Sequence, residues 1–163
     1  MESVRDKLRG IENGMNRMYV KNTPRIPRVY TNVLATFLPY IIALSVVPVI
    51  CNMLITFGVV RNPFVSLIAG IGGFISVFAP DAFGYIGRSA GVTFSLSIAW
   101  LLTVVASLPY LMNRRKRGWR LVFYATMITM LDAFLYLDLG TIVAHLFIVW
   151  YLLFQIKSLY RKS

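Results

Sequence analysis

Charge-free stretches set the limits on what this chain can fold into. Val33–Val60 runs for 28 residues without a charged side chain, and Ser89–Met112 for 24. A helix needs about 20 apolar residues to cross a hydrocarbon core of about 30 Å, so either stretch is long enough. A soluble chain of 163 residues could not hide them, because a domain of this size buries only about two thirds of its surface on folding. Composition agrees: 58% of residues are hydrophobic and 14% charged, against about 25% charged in an ordinary soluble domain. The expected fold is all-α, a polytopic transmembrane helical bundle. It comprises a cytoplasmic tail and proline linker at 1–29 and one transmembrane domain at 30–163.

Five apolar runs follow the tail. Spans are expected at about 33–60, 89–112, 119–137 and 139–157. Pro39 and Pro48 each remove a backbone donor from the first, which predicts a bent, tilted helix. The last two are separated only by Asp138-Leu139-Gly140, too short for anything but a tight turn, and so form an antiparallel hairpin. The fifth run, at 64–80, differs. Its apolar stretch Phe64–Ala79 has 16 residues, rising about 24 Å as a helix, and its centre reads Gly70-Ile71-Gly72-Gly73.

Charge parity sorts these runs. Of 17 Lys and Arg, seven lie in residues 1–29, five between Arg114 and Arg120, and three beyond Ile156; Arg61 and Arg88 stand alone. Basic segments stay on the cytoplasmic side. The tail and the Arg114 loop share that side only if an even number of crossings separates them, yet three apolar runs lie between. The short, glycine-broken 64–80 segment is the one expected to re-enter or lie at the interface. Non-helical backbone is tolerated at that depth where protein or water covers it. The alternative is a fifth ordinary crossing, which would put the Arg114 loop outside.

The tail itself carries Val4, Leu8, Ile11, Met15 and Met18 at spacings of 4, 3, 4 and 3, one stripe of a helix. Arg5, Lys7, Arg9, Arg17 and Lys21 occupy its other faces. A basic amphipathic helix of this kind lies in the membrane interface, although Gly10 and Gly14 weaken it by about 1 kcal/mol each. Thr23-Pro24-Arg25-Ile26-Pro27-Arg28 then ends the helix. The net charge of +11 reads as attraction to anionic headgroups rather than to nucleic acid, since no basic patch lies on a soluble element. No apolar run precedes Tyr30, unlike a secretory signal, and Glu2, Asp6 and Glu12 are unlike a mitochondrial transit peptide.

Chemistry has one place to reside. Asp132 and His145 are equidistant from the hairpin turn and so lie at the same depth, about 10 Å below it. An ionised Asp inside a membrane calls for a partner, and His145 is the sole histidine. Thr126, Thr129, Asp132 and Tyr136 make a polar stripe, and Thr141 lies one turn from His145. This buried polar pair serves as interhelical glue, contributing about 0.6–2 kcal/mol per bond, or as a titrating pair on a proton or solute path. Glue is the leading reading, because one pair does not make a pathway. Asp138 reads as the N-cap of the returning helix, and Asp81 as a cap or turn residue. Cys51 is the lone cysteine; neither a metal site nor a nucleophile with base and orienter can be assembled. No cofactor and no catalytic residue are expected.

Small residues supply a packing expectation. Gly84, Gly87 and Gly91 line one helix face, and Ser66, Gly70 and Gly73 another, letting backbones approach closely within the chain or between copies. Trp100, Trp119 and Trp150 are expected as interfacial anchors or packing residues.

The C-terminal third also carries a familiar text. Arg117-Gly118-Trp119-Arg120-Leu121-Val122-Phe123-Tyr124, followed by Tyr151-Leu152-Leu153-Phe154-Gln155-Ile156-Lys157-Ser158-Leu159-Tyr160, resembles the ends of a family of small bacterial polytopic membrane proteins. The likeness covers roughly the last 50 residues. It implies a bacterial cytoplasmic membrane and an intact hairpin, and attaches no activity. Asp132 and His145 depart from that family's small-aliphatic hairpin. The functional expectation is a non-enzymatic structural or interaction component of a membrane complex, a homo-oligomer or one with a membrane protein partner, both termini cytoplasmic. The alternative is a small channel or transporter using the Asp132–His145 face.

Overall fold

The computed structural model describes residues 4–21, 23–56 and 90–160, all helices and short turns with no strand among them. The helices are α1 (Val4–Asn16), α2 (Arg28–Thr56), α3 (Ala90–Met112), α4 (Lys116–Leu135), α5 (Leu139–Ala144) and α6 (Trp150–Ile156). Two π-helical segments interrupt the order, Arg17–Lys21 after α1 and His145–Val149 between α5 and α6. The 64–80 segment, with Ser66, Gly70 and Gly73, lies outside the described residues, as do Gly84 and Gly87.

Three stretches among the described residues are long and apolar enough to cross a membrane: Arg28–Cys51, Phe94–Met112 and Leu139–Leu159. α2 begins at Arg28, five residues before its apolar run, where the Pro27 and Arg28 carbonyls already accept bonds from Thr31. α4 occupies the position of the third of the four expected spans but is not among those three stretches. Basic residues at its start and a polar stripe along its length lower its hydropathy. It is instead the innermost helix, burying Trp119, Val122, Phe123, Thr126, Thr129, Asp132 and Ala133.

α3 and α4 form a tight hairpin. Arg114 turns the chain with φ of 49°, and the Arg115 amide donates to the Tyr110 carbonyl at 2.8 Å. Gly118 makes that turn possible. A Cβ there would lie 2.6 Å from the Leu111 nitrogen and 2.7 Å from the Tyr110 carbonyl carbon, so only glycine lets α4 start this close to the end of α3. α2 lies antiparallel to α3. Its N-terminal part (Ala35, Thr36, Pro39, Tyr40) borders the C-terminal end of α3 (Leu111, Met112), and Arg114 Nη2 donates to Thr36 Oγ1 at 2.8 Å. The buried contact faces of both helices use small polar residues, Ser45 on α2 with Ser97 and Ser107 on α3. Ser45 and Ser107 return their hydroxyl protons to their own helices, at Ile42 and Val104.

α4 and α6 pack through aromatic rings. Trp119 stacks on Phe123 with centroids 5.6 Å apart, and Phe154 meets both edge-on. Trp119 Nε1 donates to the Leu153 carbonyl at 2.8 Å, and Trp150 Nε1 to Thr126 Oγ1 at 3.2 Å. All three tryptophans are buried, so they act as packing residues rather than interfacial anchors. Gly91 is exposed, and a methyl group added there would meet no atom of the described residues within 4 Å. It therefore takes no part in helix packing among those residues.

Proline inside a helix leaves a carbonyl four residues earlier without its usual donor. Pro39 does this to Ala35, and the Tyr160 hydroxyl reaches that carbonyl at 3.4 Å. The end of the chain thus supplies a donor that the beginning of α2 lacks. Burial pushes the Tyr160 hydroxyl pKa up to about 12, with nearby Arg114 acting in the opposite direction.

Candidate functional site

The hairpin carries the buried polar groups expected of it. Asp138 caps α5: its Oδ1 accepts from the Thr141 amide at 3.2 Å and its Oδ2 from the Thr141 hydroxyl at 2.7 Å. The turn before it closes through Leu137, with φ of 53°, and the Asp138 amide donates to the Ala133 carbonyl. From this fixed turn, Asp132 on α4 and His145 after α5 both point inward and are almost completely buried. The Trp119–Leu153 and Thr126–Trp150 bonds run the two arms antiparallel.

The hydrogen bond of His145 is made within its own helix. His145 Nδ1 donates to the Thr141 carbonyl at 2.9 Å, one turn back in its own helix. That bond holds the proton of a neutral ring on Nδ1 and leaves Nε2 as an acceptor. Nε2 is buried and has no hydrogen-bond partner among the described residues. The π-helical segment begins at this histidine, a backbone form often found where a helix is adapted to a task.

The threonines of the stripe also bond locally. Thr126 and Thr129 donate to the Phe123 and Ala125 carbonyls within α4; Thr126 in addition accepts from Trp150, a bond that crosses between the arms. Tyr136 is half-buried at the turn end of α4. No group of three or more His, Cys, Asp or Glu that could hold a metal occurs among the described residues.

A second polar centre lies at the opposite end of the hairpin, where sequence patterning offers little sign of it. Glu12, in the otherwise basic tail, is buried. Its Oε1 lies 3.1 Å from Lys157 Nζ and its Oε2 3.3 Å from Arg120 Nε. Lys157 in turn sits over the Trp119 ring at 4.9 Å and the Phe154 ring at 5.2 Å, so the ammonium is held by a carboxylate and two aromatic faces. Three distant parts of the chain meet here: the tail, the start of α4 and the end of α6.

The tail is fastened at further points. Tyr19 is buried and stacks on Phe154, and burial raises its hydroxyl pKa. Gln155 Nε2 donates to the Tyr19 and Pro24 carbonyls, each at 3.2 Å, and the Tyr151 hydroxyl donates to Pro24 at 2.8 Å. The docking face therefore consists of Glu12, Met15 and Tyr19. Ile11 and Met18, members of the apolar stripe read from the sequence, remain exposed. An acid placed 3 and 7 residues before Met15 and Tyr19, on their helix face, is the signal that could have located it.

Chemically, the Glu12 centre is a closed ion cluster, with its carboxylate already engaged by two cations. The hairpin centre is a row of buried hydroxyls, one carboxyl and one imidazole. Among the described residues, neither presents a nucleophile beside a base. Comparison with known proteins gives no lead: no family model, no curated protein and no solved structure matches this chain.

Proposed function

We propose that this chain is a non-enzymatic structural or interaction component of a bacterial cytoplasmic membrane complex, with both termini and the Arg114 loop on the cytoplasmic side. The observation carrying the reading is the Glu12–Arg120–Lys157 cluster. It draws the tail, the start of α4 and the end of α6 to one end of the bundle, where their charges hold the chain together. A rigid, basic end with Ile11 and Met18 left outward suits contact with headgroups and with a partner subunit.

The same gathering supports four crossings and a 64–80 segment that re-enters or stays interfacial. α2 leaves the basic end and α3 returns to it, so an odd number of further crossings between them is unfavourable to the arrangement. The bacterial location rests on the C-terminal resemblance. Labelling of single cysteines in a Cys51→Ala background tests the topology. Asn113→Cys and Ser158→Cys should react from the cytoplasmic side and Leu137→Cys from the other; Asn113 and Ser158 on opposite sides would refute it.

Purification in mild detergent tests the function. A stoichiometric heteromeric complex supports the component reading, whereas a lone homo-oligomer with a wet polar core supports a small channel or transporter. One observation favours that second reading: Nε2 of fully buried His145 has no hydrogen-bond partner among the described residues. Proton or solute flux in liposomes that disappears in both Asp132→Asn and His145→Gln, with folding intact, would establish it.

A further inference from the structure

A groove of about 300 Å³ runs between α3 and α4 on the outside of the bundle, lined by Tyr110, Arg117, Arg120, Leu121 and Tyr124. Its placement is specific. Tyr110 stands two residues before the end of the Phe94–Met112 stretch, at the level where hydrocarbon gives way to headgroups. Arg117, Arg120 and Tyr124 are spaced 3 and 4 on one face of α4, with Leu121 beside them, so the groove descends about 10 Å from its basic rim. Two guanidinium groups stand at the top, with aromatic and aliphatic side chains below.

The two arginines differ in setting. Arg117 is exposed and can turn toward the groove. Arg120 is half-buried and fixed, because Glu12 faces its Nε at 3.3 Å. A guanidinium carries five donors, and Glu12 meets the Nε edge as an ion pair rather than through a hydrogen bond. The tail thus orients Arg120 without consuming it. The first turn of α4 adds the positive end of its helix dipole to the same region, which also favours an anion.

We propose that this groove is a binding site for one anionic phospholipid, its phosphate held by Arg117 and Arg120 and its first acyl carbons laid along Leu121, Tyr110 and Tyr124. A phosphate needs the two arginines alone. The apolar floor continuing toward the hydrocarbon level selects a lipid over a free anion. The inference rests on residence in the membrane with this end at a headgroup layer, and is independent of any protein partner.

The test uses the full chain in phosphatidylcholine nanodiscs, with and without phosphatidylglycerol, and counts retained lipid by native mass spectrometry. Arg115→Gln is the control, since Arg115 is exposed, carries the same charge and does not line the groove. Loss of general surface attraction should weaken phosphatidylglycerol retention by no more than about fivefold in Arg115→Gln. Loss of a charge-assisted contact in Arg117→Gln should weaken it by at least about tenfold, and Leu121→Gln should also weaken it. Equal losses in Arg115→Gln and Arg117→Gln would overturn the site. Inorganic phosphate at about 10 mM, a concentration at which surface charge is only partly screened, displacing the lipid in an Arg117-dependent way would overturn the lipid as its occupant. Unchanged melting of each variant in pure phosphatidylcholine separates lost binding from lost folding, and a chain that fails to enter those discs would remove the membrane reading and the site together.

Discussion

Replacing Glu12 with Gln preserves shape and removes one charge from a cluster of three. Its carboxylate lies 3.1 Å from Lys157 and 3.3 Å from Arg120, and only 6% of its side chain is exposed. At an effective dielectric of about 20, one such contact is worth roughly 5 kcal/mol of attraction before desolvation is subtracted. Breaking a buried pair by removing one partner costs about 3–5 kcal/mol. The lower figure applies, because a third of the Arg120 side chain still meets solvent. A loss of about 3 kcal/mol raises the open population of the tail by about 150-fold. Trypsin cleavage at Arg17 reads that population directly, since cutting a docked helix requires local opening. The full chain in nanodiscs should be cut about two orders of magnitude faster in Glu12→Gln than in wild type. Raising salt from about 50 to about 500 mM should matter less in wild type than the substitution does, because buried pairs are weakly screened. A cleavage rate within about threefold of wild type would refute the reasoning, and Tyr19 and Gln155 would then hold the tail without the ions.

Gly118→Ala should destabilise the chain by about 3 kcal/mol, because the new methyl meets backbone atoms at 2.6 and 2.7 Å; chemical denaturation in detergent measures it, and a loss under about 1 kcal/mol would show that the α3–α4 turn can open. Tyr160→Phe should cost about 1 kcal/mol in wild type but almost nothing in a Pro39→Ala background, where residue 39 regains an amide for Ala35; an unchanged cost in the double variant would separate the two residues. The Tyr160 hydroxyl, neutral in the fold with its pKa raised to about 12, contributes fully below about pH 10, and this contribution declines between about pH 10 and about 12; ultraviolet titration should find a late-ionising component, beside that of Tyr19, that Tyr160→Phe removes. Asp138→Ala should cost about 1 kcal/mol from the lost cap, measured as faster exchange of the Thr141 and Ile142 amides.

Much of the fold was legible because it depends on local arithmetic. The length of an apolar run against bilayer thickness marks a helix able to cross, and the stretches at Arg28–Cys51, Phe94–Met112 and Leu139–Leu159 follow from it. Asp138 before a returning helix reads as a cap for the same local reason, and it caps. The burial of Asp132 and His145 follows from their place on the two arms of a hairpin with a short turn. What His145 and the threonines bond to does not follow. Side chains in a helix can return to carbonyls of the preceding turn, and these residues take those nearby acceptors.

The long charge-free runs determined by themselves that this chain is helical and suited to a membrane, since no soluble fold of its size could bury them. They also located its basic segments in the tail, the Arg114 loop and the C-terminus. Tertiary structure alone decided how those segments meet. Glu12, an acid in a tail that carries seven cations, finds Lys157 and Arg120 more than a hundred residues away, and Tyr160 reaches a carbonyl freed by Pro39. Hydropathy and charge counts depend on what neighbours a residue in sequence. Ion pairs and orphaned carbonyls are satisfied by whatever the packed helices bring within about 3 Å.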